Sequence, residues 1–179
     1  MICWLFPRAR EPSGFRDVGQ GAQEHSVDRD HRERERGYPC VEDERAAERL
    51  QAEARSVLGG RPGFVAADAE RLPFARQVIQ EGMRLYPPGW FIGRAALADV
   101  RLGEFTVPKG AVVLMSQYVM HRDGRFFEAP ERFKPERWEG DFQERLPRGA
   151  YFPFSAGDRH CIGEGFAWQE ALLILATLV

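Results

Sequence analysis

Cys161 lies in the segment Phe154-Ser155-Ala156-Gly157-Asp158-Arg159-His160-Cys161-Ile162-Gly163. An apolar ring, two glycines, an arginine and a lone cysteine stand at fixed offsets, and an apolar run with helical character follows at once. A thiolate placed like this is a soft metal ligand. A free thiol titrates near ~8.5, so its surroundings must favour the anion. Arg159 supplies a full positive charge, and the N–H groups opening the following helix supply a partial one. Gly157 and Gly163 let the backbone turn tightly and approach a flat partner. Phe154 can shield the sulfur from water. The opposing reading is a buried core residue, the usual fate of a lone cysteine. His160 is also a ligand type, but directly beside Cys161 it points elsewhere and reads as a loop residue.

A second group is charged. Glu81 and Arg84 are three residues apart, so on a helix both project from one face. Taken alone they would be a surface ion pair worth a few tenths of a kcal/mol.

The elements that must position these groups emerge from periodicity. Ala47, Leu50, Ala54 and Val57-Leu58 recur at helical spacing from Glu42 onward, until Gly59-Gly60 stops the run. A second helix is expected over Phe74 to Tyr86, ended by Pro87-Pro88. Trp90 to Ala96 reads as extended. Val100-Arg101-Leu102 and Glu104 to Val107 flank Gly103 as a hairpin. Pro108-Lys109-Gly110 marks a turn before a strand over Ala111 to Met115. Between Asp123 and Arg159 the chain is rich in Pro, Gly and Phe without period, a long meander. From Gly163 an apolar helix runs to Val179. The expected fold is mainly α with a small β-sheet.

Composition bounds the rest. The chain has 179 residues, 44% of them hydrophobic, which suits one domain with a real core. Lys and Arg total 25 against 27 for Asp and Glu, a net charge of -2 that argues against nucleic acid as a partner. Three cysteines make no disulfide framework and point to a reducing, cytoplasmic setting. No window approaches the ~20 apolar residues that cross a bilayer, so no membrane segment is expected. Residues 1–45 are polar and charged, without apolar period, and read as a disordered or unrelated tail.

The spelling F-x-x-G-x-R-x-C-x-G over Phe154 to Gly163 resembles the haem-binding loop of cytochromes P450. Glu81-Gly82-Met83-Arg84-Leu85-Tyr86-Pro87-Pro88 resembles that family's E-x-x-R-L-x-P-P helix. Pro135-Glu136-Arg137-Trp138 resembles its P-E-R-F/W, and His121-Arg122-Asp123 is another common family spelling. The three motifs occur in family order, and the resemblance covers roughly residues 46–179. It implies a partial P450 fold, the C-terminal, haem-proximal part, truncated at both ends. It implies haem b as cofactor with Cys161 as axial ligand of the iron, and Arg159, Arg94, Phe154, Gly157 and Gly163 around it, Arg94 and Arg159 facing propionates. Glu81, Arg84 and Arg137 become a structural triad that locks the meander under the loop. Trp90, Phe91 and Ile92 match the segment skirting the substrate pocket.

For the whole enzyme the resemblance implies a monooxygenase placing one atom of O2 into an apolar, terpenoid-like or fatty substrate. Electrons would come from a ferredoxin or flavoprotein reductase. The distal helix, with its acid and threonine, has no counterpart, since no threonine precedes Thr106. Trp4-Leu5-Phe6-Pro7-Arg8 has the spacing of a family W-x-x-x-R helix, which Pro7 would break. The expectation is therefore a fragment that binds haem loosely and lacks coupled activity. The rival readings are a non-catalytic haem-binding or unfolded remnant, and a haem-free interaction module.

Overall fold

A computed structural model describes residues 43–61 and 65–179. The Trp4–Arg8 spacing and residues 1–42 of the expected tail lie outside the described residues, whereas Asp43, Glu44 and Arg45, expected in that tail, cap and open the first helix.

Helix α1 spans Glu44–Leu58. The Asp43 side chain accepts the Ala46 N–H at 3.1 Å, an N-cap. Gly59, at φ 54, ends the helix by donating its N–H to the Arg55 carbonyl at 2.9 Å. Ala46, Leu50, Ala54 and Val57 form its buried stripe. A 3-10 turn over Ala66–Arg71 leads into α2, Pro73–Leu85, with Pro73 in the first helical turn. The amides of Phe74 and Ala75 donate to the two oxygens of Glu53 on α1, each at 2.8 Å. One carboxylate thus satisfies two of the orphan donors at the α2 N-terminus and pins the two helices together.

The fold is mainly helical with a small amount of antiparallel sheet, as expected, and its strands form two pairs. β1, Phe91–Ala95, pairs with β4, Val112–Ser116, with Gly93 opposite Leu114. β2, Val100–Leu102, and β3, Phe105–Val107, make the hairpin around Gly103, whose φ of 60 suits glycine.

The long meander contains short helical turns. These are α3, Gln117–Met120, a 3-10 turn at Pro135–Trp138, α4, Phe142–Arg145, and a 3-10 turn at Gly157–Arg159. Their buried aromatic residues are spaced irregularly, so no period shows in the sequence. Phe127, Trp138, Phe142 and Tyr151 stack as one aromatic cluster, with ring centroids 4.6–6.3 Å apart.

Helix α5 spans Glu164–Leu178. Its Leu172 and Ala176 pack with Leu50, Ala54, Phe74 and Val78 to close the core between α1, α2 and α5. The helix is mostly apolar, and Leu173, Ile174 and Leu178 face outward. No helix among the described residues is long and apolar enough to cross a membrane.

Candidate functional site

The scaffold centres on Glu81, fully buried on α2. Arg84 donates to its two oxygens through Nε and Nη2, both at 2.9 Å. Arg137 Nε donates to Glu81 Oε1 at 3.0 Å, and the Lys134 backbone N–H to the same oxygen at 2.9 Å. Trp138 Nε1 donates to Oε2 at 2.9 Å. The remaining donors reach backbone. Arg84 Nη1 bonds the carbonyls of His121 at 2.8 Å and Pro130 at 2.7 Å, and Arg137 Nη1 bonds that of Glu128 at 2.9 Å. A pair this deeply desolvated holds only when its polar atoms are bonded all round, as here. The residues expected as a triad therefore tie α2 to the loop over residues 128–138. Trp138 and the Lys134 amide complete the set, and neither is visible from the spacing of charges.

The cysteine loop is built on the segment after that network. Tyr151 donates its hydroxyl to the Gln80 carbonyl at 3.1 Å. Burial, reinforced by the Glu81 charge, holds that hydroxyl protonated far above the ordinary tyrosine range. Ser155 stands at φ 67 and Gly157 at φ 68, so the chain turns twice through the left-handed region. The Cys161 N–H then donates to the Phe154 carbonyl at 2.9 Å, closing the loop. The Glu164 N–H donates to the Cys161 carbonyl at 3.3 Å as α5 begins.

Cys161 is a free thiol and is exposed. A Cβ added at Gly163 would meet its Sγ at 3.8 Å, so glycine leaves that flank of the sulfur open. The Phe154 ring faces Trp168 at 6.2 Å, and Arg76 lies over Trp168 at 4.2 Å. His160 contacts the Glu164 carboxylate. Arg94, on β1, donates to the Gly93 carbonyl at 2.9 Å and to Ser155 Oγ at 3.4 Å, which brings it beside the loop. Arg159 is exposed in the 3-10 turn. Trp90 and Phe91 are exposed and Ile92 half-buried, beside outward-facing Leu114 and Met115 of β4.

His121 is the polar residue to which motif reading attached no chemistry. It is wholly buried, and its Nε2 accepts the Phe152 N–H at 3.0 Å. Burial pushes it down to about 4; the Met83 backbone opposes this, and the Arg84 and Arg122 charges add to it. It is therefore a neutral imidazole at physiological pH.

The donor set decides what could bind. No group of three His, Cys, Asp or Glu side chains able to hold a bare metal ion exists among the described residues. One exposed sulfur with an open flank instead fits a metal whose other positions a macrocycle fills. A haem with a single axial thiolate is such a group.

The sequence profile of Cytochrome P450 matches residues 38–179. Cyclooctat-9-en-7-ol 5-monooxygenase of Streptomyces melanosporofaciens is 44% identical over 131 residues, 73% of this chain and 28% of that protein. Cytochrome P450 4d2 of Drosophila melanogaster is 42% identical over 134 residues, 74% of this chain and 26% of its own length. Pentalenene oxygenase of Streptomyces avermitilis is 35% identical over 131 residues, again 73% of this chain and 29% of the relative. The chain thus spans between a quarter and a third of the length of these relatives. A profile match over most of its length, joined to identities of 35–44%, shows that the chain belongs to the cytochrome P450 family.

Proposed function

We propose that this chain carries the thiolate side of a haem monooxygenase, with Cys161 as the axial ligand of haem b. The observation that carries this is the Cys161 sulfur, exposed at the mouth of a loop whose own backbone hydrogen bonds hold it, at the N-terminus of α5. Bound there, haem iron would activate O2 with electrons from a ferredoxin or flavoprotein reductase, and the thiolate would push electron density that favours O–O cleavage.

The chain's own groups hold and orient. Cys161 supplies the sulfur donor. Gly157 allows the turn that its φ of 68 requires, and Gly163 keeps a side chain off the sulfur. Phe154 and Trp168 wall one side of the loop. Arg94, beside Ser155, and Arg159 offer guanidinium forks suited to propionate carboxylates. Glu81, Arg84 and Arg137 keep the supporting meander rigid. Trp90, Phe91 and Ile92 offer apolar surface to a substrate. Two of the similar proteins are named for oxidising cyclooctat-9-en-7-ol and pentalenene, which supports an apolar hydrocarbon-like substrate here.

The experiment is haem titration of the 179-residue chain followed by reduction under CO. The wild type should give the red-shifted Soret band of a thiolate-ligated haem, and Cys161→Ala should not. The same band in both proteins would refute the assignment of Cys161.

A further inference from the structure

We propose that Gln117 and His121 are positioning residues for Cys161, gripping both backbone polar groups of Phe152 so that the turn at Ser155 carries the sulfur to a fixed place. The proposal rests on the haem-thiolate reading for its consequence, but not for its geometry. Gln117 opens the single turn α3 and His121 caps its C-terminus four residues later, and both are buried. Gln117 Nε2 donates to the Phe152 carbonyl at 2.5 Å, while His121 Nε2 accepts the Phe152 N–H at 3.0 Å. One residue of a connecting segment is thereby held from both its donor and its acceptor side.

The grip acts where the backbone is strained. The same Phe152 carbonyl accepts the Ser155 N–H at 3.0 Å, and Ser155 stands at φ 67 without being glycine. Such a residue persists only where its surroundings over-determine it. From that turn the Phe154 carbonyl accepts the Cys161 N–H at 2.9 Å. On the other side, the His121 carbonyl accepts Arg84 Nη1 at 2.8 Å. His121 therefore joins the Glu81 network to the cysteine loop, its carbonyl bonded to one and its ring to the other.

The chemistry demanded of each side chain is specific. Nε2 accepts only in neutral imidazole with the proton on Nδ1. Gln117 must present an amide donor. Bulk alone replaces neither. His121→Phe keeps a ring and loses the acceptor. His121→Gln places an amide oxygen near the Nε2 position. Gln117→Met keeps length and loses the donor.

Two measurements on the 179-residue chain decide the matter. Amide exchange on the apo chain needs no haem. His121→Phe and Gln117→Met should quicken exchange at Phe152, Ser155 and Cys161 by ~tenfold, the scale of one lost hydrogen bond, and leave Val78 in α2 near wild type. His121→Gln should restore slow exchange. In the haem-loaded chain, His121→Phe should lower the thiolate-ligated share of the ferrous–CO band, and His121→Gln should recover it. Should the wild type show no thiolate band, the haem reading fails, and exchange alone still judges the grip. Should His121→Phe loosen Val78 as well, the return of slow exchange in His121→Gln supports the proposal. Unchanged exchange at Cys161 in His121→Phe, or His121→Gln behaving like His121→Phe, overturns it.

Discussion

The indole of Trp138 donates through Nε1 to Glu81 Oε2 at 2.9 Å, so a tryptophan completes a carboxylate already bonded to two arginines. Glu81 accepts from Arg84, Arg137, Trp138 and the Lys134 amide together. No single donor carries the network. Removing the carboxylate, however, leaves two buried guanidinium groups without their counter-charge.

Glu81→Gln should therefore cost about 3–5 kcal/mol in urea unfolding, the scale of a broken buried ion pair. Trp138→Phe should cost about 1–2 kcal/mol, one hydrogen bond among several. Equal losses would mean that the indole, not the carboxylate, organises the meander.

The two loop glycines should respond differently. Gly157 stands at φ 68, so Gly157→Ala pays backbone strain of about 1–2 kcal/mol even though nothing lies within 4 Å of an added Cβ. Gly163 has φ -86, which any residue tolerates, but its Cβ would touch Cys161 Sγ. Gly163→Ala should leave thermal unfolding nearly unchanged and alter the CO spectrum of the haem-loaded chain. A stability loss at Gly163 equal to that at Gly157 would contradict this division.

His121 gives a pH signature. Its folded pKa is depressed from an ordinary 6.5 to about 4. The unfolded chain therefore binds the extra proton first as pH falls. The contribution of neutral His121 is fully present above about pH 6.5 and is lost as pH drops toward 4, on the order of 3 kcal/mol in all. The difference in unfolding free energy between wild type and His121→Phe, followed from pH 7.5 to 4, should shrink across that window. A difference independent of pH would show that His121 titrates normally.

Much of this architecture is legible without coordinates where the signal is local. Gly59-Gly60 ends the helix that the periodicity of Leu50, Ala54 and Val57 traces, Pro87-Pro88 follows the end of the second, and observed boundaries differ from expectation by at most two residues. Glu81, Arg84 and Arg137 are readable because they sit inside long spelled motifs. What escapes is tertiary. Glu53 caps α2 from a helix 21 residues upstream, a pairing no local pattern encodes. Ser155 adopts a left-handed conformation that residue type would assign to glycine, and its N–H bonds the same Phe152 carbonyl that Gln117 reaches from 35 residues away. His121 binds Phe152 across 31 residues, and the spelling His121-Arg122-Asp123 carries no mark of that partner. That β1 meets β4 across the intervening hairpin is likewise not stated by short alternating runs.

The central claim is that the Cys161 sulfur bonds iron. X-ray absorption at the iron edge of the haem-loaded 179-residue chain counts sulfur neighbours directly. One sulfur scatterer per iron should appear in the wild type, in Cys3→Ala and in Cys40→Ala, and none in Cys161→Ala. An iron without sulfur in the wild type, or one that keeps its sulfur in Cys161→Ala, would contradict the account.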